Sequence, residues 1–236
     1  MAVETTGNLI LDTLSPELLA SLNPREEFHP IGVVLITPVE IPEFVFFPHR
    51  GAVVSIVCTT LDGTMVESGI IGHEGMMHLQ NVIAVPAPNG TEALVQIDGR
   101  FTRTDLAAVR ALFRDNAQFR EQLLPFANLF LDQVTQNLVC NRLHPIEQRL
   151  AKWLLTVRDR IDTDELHLTH EFLAHMLGIH RPGVSIAVSA LELDGLIRHG
   201  RNLIALRDHE GLLERTCECY GALHRKLRAF TATFDV

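Results

Sequence analysis

The run His180-Arg181-Pro182-Gly183-Val184-Ser185-Ile186 mixes long donor side chains with small ones. An arginine fork carries two parallel N–H groups that match O6 and N7 of guanine, so Arg181 is suited to grip one base edge. His180, Ser185 and Ser189 add hydrogen-bonding groups around it, and Gly183 has no side chain to hold a backbone away. Ile186 is apolar; it either packs inward or meets a thymine methyl. Thr169 and His170 precede the run, and Arg198, Arg201 and Arg207 follow it. Those arginines suit phosphate oxygens, with a solvated surface as the alternative reading. The chemistry on offer is recognition of duplex DNA.

Other chemistry is less well supported. The chain has no nucleophile motif, phosphate loop or metalloprotease spacing, so no catalytic residue is assigned and an enzyme is not expected. His170 and His175 are five apart and do not share a helix face as a ligand pair would. Cys58, Cys140, Cys217 and Cys219 lack a framework spacing and read as free thiols in a reducing cytoplasm. Cys217-x-Cys219, with His209 and His224 nearby, has donors that suit zinc. The one-residue gap and the flanking helix favour a free pair, so no metal site and no cofactor are expected. A small-molecule or metal-binding sensor without direct DNA readout is the competing functional class.

The base-reading run needs elements to present it. Thr169 is a good helix N-cap, and His170 to Leu177 follows as a short helix. Gly178 supplies a tight turn, and a second helix runs from Arg181-Pro182 to Leu193, with Gly195 just beyond. Pro182 is tolerated because amides of a first turn have no intrahelical acceptor. The spacing Ala174, Gly178, Val184 is that of a helix-turn-helix: a small residue at the crossing, glycine in the turn, a branched residue closing the core. Leu166-His167-Leu168 reads as a short strand. Leu196-Ile197-Arg198 and Leu203-Ile204-Ala205-Leu206 read as strands around the turn His199-Gly200-Arg201-Asn202, a wing.

Upstream, the chain changes character twice. Ser15-Pro16-Glu17 opens a short helix with Leu18, Leu19 and Leu22 on one side. From Ile31 to Phe101, runs such as Gly32–Thr37, Phe44–Phe47, Val53–Thr59 and Ala93–Ile97 alternate with closely spaced Gly and Pro, which predicts a small all-β unit. Asp62-Gly63 is a hairpin turn. From Asp105 to Gly178 there is no glycine. Phe119, Leu123, Phe126, Phe130, Val134 and Leu138 recur at three- and four-residue steps, a stripe that serves either as core or as a dimer seam; we expect the seam. Pro125 either kinks this helix or begins it near Leu124. Pro145-Ile146-Glu147 starts another helix, carrying Leu150, Trp153, Leu154 and Val157 on one face and ending near Arg160.

Charge agrees with two functional parts. Of the net −9, residues 1–143 carry 8 Lys/Arg and 16 Asp/Glu, and residues 144–236 carry 12 and 13 with 8 of the 12 histidines. DNA binding needs a local basic face rather than a basic protein. No stretch spans a bilayer, and Met1 to Leu11 has no secretion signal, so a cytoplasmic protein without a membrane partner is expected.

Taken together, these residues resemble the Crp/Fnr family of bacterial transcription regulators. The resemblance rests on His144-Pro145-Ile146-Glu147-Gln148-Arg149-Leu150-Ala151-Lys152-Trp153-Leu154-Leu155, on Leu168 through Ile197, and on Asp208 to Glu214 followed by Cys217-Glu218-Cys219-Tyr220. Phe46-Phe47-Pro48, Gly51 to Ser55 and Gly69-Ile70-Ile71-Gly72-His73-Glu74-Gly75-Met76 are similar to the family's sensor domain. The resemblance implies an α+β chain with three parts: a β-roll sensor-like domain (a cyclic-nucleotide-binding-like jelly roll) at 1–104, a helical linker with the dimerisation helix at 105–143, and a winged helix-turn-helix at 144–236. It further implies a homodimer on an inverted-repeat operator in double-stranded DNA, with RNA polymerase as a further candidate partner.

Three departures sharpen this. Relatives that bind cyclic nucleotides carry an arginine after the Gly-Glu cassette, but residues 76–98 contain no Lys or Arg. A buried phosphate without a cation loses its strongest hydrogen bonds, so cyclic-nucleotide control is not expected. The iron–sulfur branch needs clustered cysteines near the front, which this chain lacks. A haem ligand among His29, His49, His73 and His78 is chemically allowed; core or surface histidines are the simpler reading. Many relatives show Ser-Arg-Glu-Thr-Val and then a basic residue; here only the arginine is kept, which implies an altered half-site with one guanine retained.

Overall fold

The computed structural model describes residues 5–161 and 163–234. The Met1–Leu11 segment and the outer ends of the 1–104 and 144–236 parts therefore lie partly outside the described residues. After a short 3-10 helix (Leu11–Thr13) comes α1 (Pro16–Ser21), whose N-cap Ser15 accepts a hydrogen bond from the Leu18 amide. Seven strands follow: β1 (Arg25–His29), β2 (Val34–Ile36), β3 (Phe44–Pro48), β4 (Val53–Thr59), β5 (Met65–Ile71), β6 (Glu92–Ile97) and β7 (Gly99–Asp105), with α2 (Leu79–Ile83) between β5 and β6. They form two antiparallel sheets, ordered β1-β7-β3 and β2-β6-β4-β5. The sheets face each other across Val45, Phe47, Val54, Val95 and Phe101, all fully buried. Alternation along each strand sends these residues to one face. The β4–β5 hairpin turns at Asp62-Gly63 as expected: the Thr60 amide donates to Thr64 O, and Gly63 has φ +84°.

Helices carry the rest. α3 (Leu106–Asp115) packs on the roll, and α4 (Ala117–Leu143) runs for 27 residues. Asn116 caps α4 by accepting from the Phe119 amide at 2.9 Å, so the helix starts well before Pro125 and passes through it. Pro125 and its neighbour Leu124 are exposed, so the acceptor that proline leaves unpaired lies on the solvent side of the helix.

The expected seam divides between two faces of α4. Phe119, Leu123 and Phe126 are at most 2% exposed and belong to the roll's own core. Phe126 lies directly over Gly75, where a Cβ would come within 2.1 Å of its ring, and Phe130 lies over Gly69. Those residues are core rather than seam. The apolar face left uncovered is Leu124, Leu131 and Leu138, which are 45%, 63% and 71% exposed, with half-buried Ala127 and Val134 between them.

Beyond α4 come α5 (Ile146–Arg158), β8 (Glu165–Leu166), α6 (His170–Leu177), α7 (Arg181–Leu193), β9 (Ile197–Gly200), β10 (Leu203–Leu206), α8 (His209–Arg215) and α9 (Glu218–Thr231). β8, β10 and β9 make a three-stranded wing sheet. β8 is shorter than the expected 166–168 strand, and β9 extends through Gly200, leaving Arg201-Asn202 as the turn. α9 does not stay with the wing. It returns along α4, where Lys226 pairs with Asp132 at 2.5 Å and the Phe230 and Phe126 rings stand 6.3 Å apart.

The two parts share a buried boundary. Val53, Val57 and Ile70 of the roll belong to the same apolar cluster as Leu150, Trp153 and Leu177. Arg160 Nε bonds Glu74 Oε1 at 2.7 Å with both side chains buried. Among the described residues, no helix is long and apolar enough to cross a membrane.

Candidate nucleic-acid interface

Local sequence fixes the helix-turn-helix. Thr169 Oγ1 accepts from the Phe172 amide at 3.0 Å and starts α6. Gly178 ends it in the left-handed region (φ +59°, ψ 43°), which favours glycine. Its missing Cβ also matters, since one would meet Val66 Cγ2 at 2.9 Å. Leu173, Ala174, Val184 and Val188 close the small core between α6 and α7. Leu173, Val184 and Val188 each contribute roughly 1.5–3 kcal/mol by their burial.

α7 presents its other face to solvent. Arg181 and Ser189 are exposed, and Ile186 is 69% exposed, so it does not pack inward. His180 is the exposed N-cap residue. Gly183 sits against Ile146, whose Cδ1 a Cβ there would meet at 3.4 Å, an ordinary contact, so packing alone does not demand glycine. Ser185 is half-buried; its Oγ lies 3.0 Å from His170 Nδ1 and 3.3 Å from Arg181 O. That link ties the head of α6 to the first turn of α7.

Four of the expected residues meet in one cleft. Thr169, His170, Arg181 and Arg201 line a groove of about 380 Å³ between the heads of α6 and α7 and the wing. Burial lowers the pKa of His170, and neighbouring His199 and Arg181 lower it further. Arg198 and Ser189 are exposed but lie outside this cleft. Sequence reasoning missed His199 and Asn202, which also line it. His199 Nδ1 stands 2.7 Å from Glu192 Oε2, which pins the wing to the end of α7. Asn202 adopts φ +58°, and an Asn in the wing turn was the available signal.

A second concavity, of about 860 Å³, lies between the roll and α4. Ile56, Ile71, Met76, Leu79, Phe126 and Phe130 supply much of its wall, and among the described residues no Lys or Arg lines it. The cassette carboxylate, Glu74, is committed to Arg160. Of the four histidines considered for haem, His78 also borders this space; its Nδ1 lies 2.9 Å from Asn89 Nδ2, and burial pushes its pKa down to about 4. His49 Nε2 lies 2.8 Å from Thr102 Oγ1, and the His29 ring meets Phe46 and Phe101 edge-on.

The fold also gathers donors that the linear sequence keeps apart. Cys140, His144, Cys217 and Cys219 place one ligand atom each within 4.8 Å of one another. The expectation of a free Cys217-x-Cys219 pair overlooked Cys140 and His144, one helical turn apart at the end of α4. The anticipated companions lie elsewhere: His224 Nδ1 bonds Asp159, and His209 heads α8. A hydrogen bond from the Cys140 thiol to Cys217 Sγ holds the Cys217 pKa below the usual thiol value and pushes that of Cys140 up.

Comparison with known proteins agrees with this geometry. Residues 148–215 match the Crp-like helix-turn-helix domain. No curated protein is similar enough in sequence to count as a relative. Solved structures are similar over most of the chain. FixK2 from Bradyrhizobium japonicum has 19% identity and a TM-score of 0.70, covering 82% of this chain and 98% of its own. A putative Crp/Fnr-family transcriptional regulator from Eubacterium rectale has 15% identity and a TM-score of 0.66, covering 87% and 96%. A Crp/Fnr-family transcriptional regulator from Thermus thermophilus has 18% identity and a TM-score of 0.61, covering 81% and 97%. Residues 148–215 thus carry a Crp-like helix-turn-helix domain, and the chain as a whole shares the fold of solved Crp/Fnr-family structures.

Proposed function

We propose that the chain is a sequence-specific DNA-binding transcription regulator that acts as a homodimer on an inverted-repeat operator. The observation that carries this is Arg181, exposed at the head of α7 and facing Arg201 of the wing across one open cleft. α7 enters the major groove, Arg181 reads a guanine, and Thr169, His170, Arg198 and Arg201 hold the flanking backbone. His180, Gly183, Ser185 and Ser189 complete the reading surface, with Ile186 set to meet a thymine methyl.

The uncovered face of α4 supports the dimer. Leu124, Leu131 and Leu138 repeat every seven residues, and Ala127 and Val134 fall three residues after the first two. That is an a/d seam, and two copies bury it together. Two-fold symmetry then sets the reading helices roughly 34 Å apart, one turn of the duplex.

The regulator acts without a cyclic nucleotide. The cavity beside α4 is largely apolar, lacks a cationic side chain in its lining, and borders a cassette whose carboxylate is already paired. Selection of bound DNA from a random pool, followed by binding at several salt concentrations, tests the reading. We expect an inverted repeat retaining one guanine per half-site, affinity that falls steeply with salt, and no response to added cyclic nucleotide. Recovery of no preferred sequence would reject it.

A further inference from the structure

We infer that Cys140, His144, Cys217 and Cys219 form a closed, four-coordinate zinc site that staples the end of α4 to the head of α9. Neither the fold nor the DNA-reading surface requires such a site, and the inference stands apart from the proposed function.

The donors converge from two directions. Cys140 and His144 lie one turn apart where α4 ends; His144 is its C-cap, and its amide donates to Cys140 O at 3.1 Å. Cys217 is the N-cap residue of α9, and Cys219 lies in that helix's first turn. Cys140 Sγ and Cys217 Sγ are 3.6 Å apart, and Cys219 Sγ and His144 Nδ1 are 3.5 Å apart. In a tetrahedron with Zn–S of about 2.3 Å and Zn–N of about 2.0–2.1 Å, the S···S and S···N edges are about 3.8 and 3.6 Å. Both pairs already stand near those edges. A disulfide needs about 2.05 Å between sulfurs, and all four cysteines are free.

The surroundings are those of a structural metal centre. The three sulfurs belong to residues no more than 5% exposed. Buried thiols alone would be ordinary small apolar side chains; an imidazole aimed at one of them is not. The other nitrogen of that ring, His144 Nε2, lies 3.4 Å from Glu218 Oε1, the carboxylate–histidine arrangement that orients a zinc ligand. Gln136 Nε2 donates to Cys219 Sγ at 3.1 Å. Three thiolates, one neutral imidazole and Zn²⁺ sum to one negative charge, and the buried Lys152 ammonium is the cation whose field reaches Cys140. Three sulfurs and one nitrogen favour zinc over the oxygen-seeking magnesium and calcium. With four protein donors no position is left open for water, so the site holds structure rather than performing hydrolysis.

The test uses the full chain, tag-free and purified under reductant without chelator. Metal analysis is expected to find about one zinc per chain. After stripping, Co²⁺ titration should give the intense visible bands of tetrahedral thiolate coordination and saturate at one equivalent. Cys219→Ser and His144→Ala should lose tight binding, and Cys58→Ser, whose cysteine is outside the cluster, should keep it. The cobalt spectrum of the unsubstituted chain decides the matter even where a variant fails to fold. Metal-free protein that gives no tetrahedral bands would overturn the inference. So would zinc retained equally by Cys219→Ser, or peptide mapping that recovers a Cys140–Cys217 disulfide from metal-free chains.

Discussion

Trp153 Nε1 donates a hydrogen bond to Glu67 Oε1 across 3.1 Å, joining the first helix of the DNA-binding part to a strand of the β-roll. Ser55 Oγ donates to the other carboxylate oxygen at 2.8 Å. The carboxyl is buried, and that burial pushes its pKa up from 4.5 to about 7 against the pull of the two hydrogen bonds.

A pH dependence follows from that shift. The folded state holds the Glu67 proton between pH 4.5 and 7, whereas the unfolded state releases it, so this group makes stability fall as pH rises through the window. Above pH 7 the full penalty of a buried carboxylate is present, roughly 3 kcal/mol from a shift of this size. Glu67→Gln keeps an acceptor for Trp153 and removes the charge. Urea denaturation should show the variant more stable than the parent at pH 8 and nearly equal to it at pH 4.5. A gain that is the same at both values would mean that ionisation is not the cause.

Arg181→Ala should leave folding intact, because the side chain is exposed and makes no core contact. Specific affinity should fall by about 1–3 kcal/mol per half-site while non-specific binding changes little. Fluorescence anisotropy on the selected operator and on a scrambled duplex separates the two. Equal affinity of variant and parent for the operator would remove Arg181 from the reading surface.

Leu131→Glu and Phe126→Ala should part company. Leu131 is on the uncovered face of α4, so a charge there should yield a folded monomer in sedimentation at concentrations where the parent is dimeric. Phe126 fills the roll beside Gly75, so its truncation should cost about 3–5 kcal/mol of folding stability. A Leu131→Glu protein that sediments like the parent would place the seam elsewhere.

Gly178→Ala combines two costs: the left-handed turn, worth about 1–2 kcal/mol for a residue with a Cβ, and a contact with Val66. Adding Val66→Ala should relieve the second cost and leave the first. Chemical denaturation of the two variants and of Val66→Ala alone gives the coupling directly. No coupling would mean the two residues do not touch in solution.

Legibility in the sequence was uneven for physical reasons. The bounds of α6 and α7 could be read almost to the residue because Thr169, Gly178 and Gly195 punctuate them chemically. The strand Arg25–His29 could not, because it is a sheet edge with mostly exposed side chains and no apolar run. The apolar stripe of α4 was visible, but its partner was not: periodicity records that a face is buried, not whether a sheet or a second chain covers it. In the cleft, Arg181 and Arg201 were identifiable by type, while His199 entered only through its pairing with Glu192. The sulfur–imidazole cluster joins positions 75 and 77 residues apart, a distance that local spacing does not encode.

The β4–β5 hairpin is a partition with a tenant on each side. Ile56, Cys58 and Ser68 wall the apolar cavity, and Val66 bears on Gly178 between α6 and α7. Interiors at native density hardly compress. There is thus little slack between the cavity wall and the turn at Gly178, and a bulkier side chain at position 66 would press on that turn.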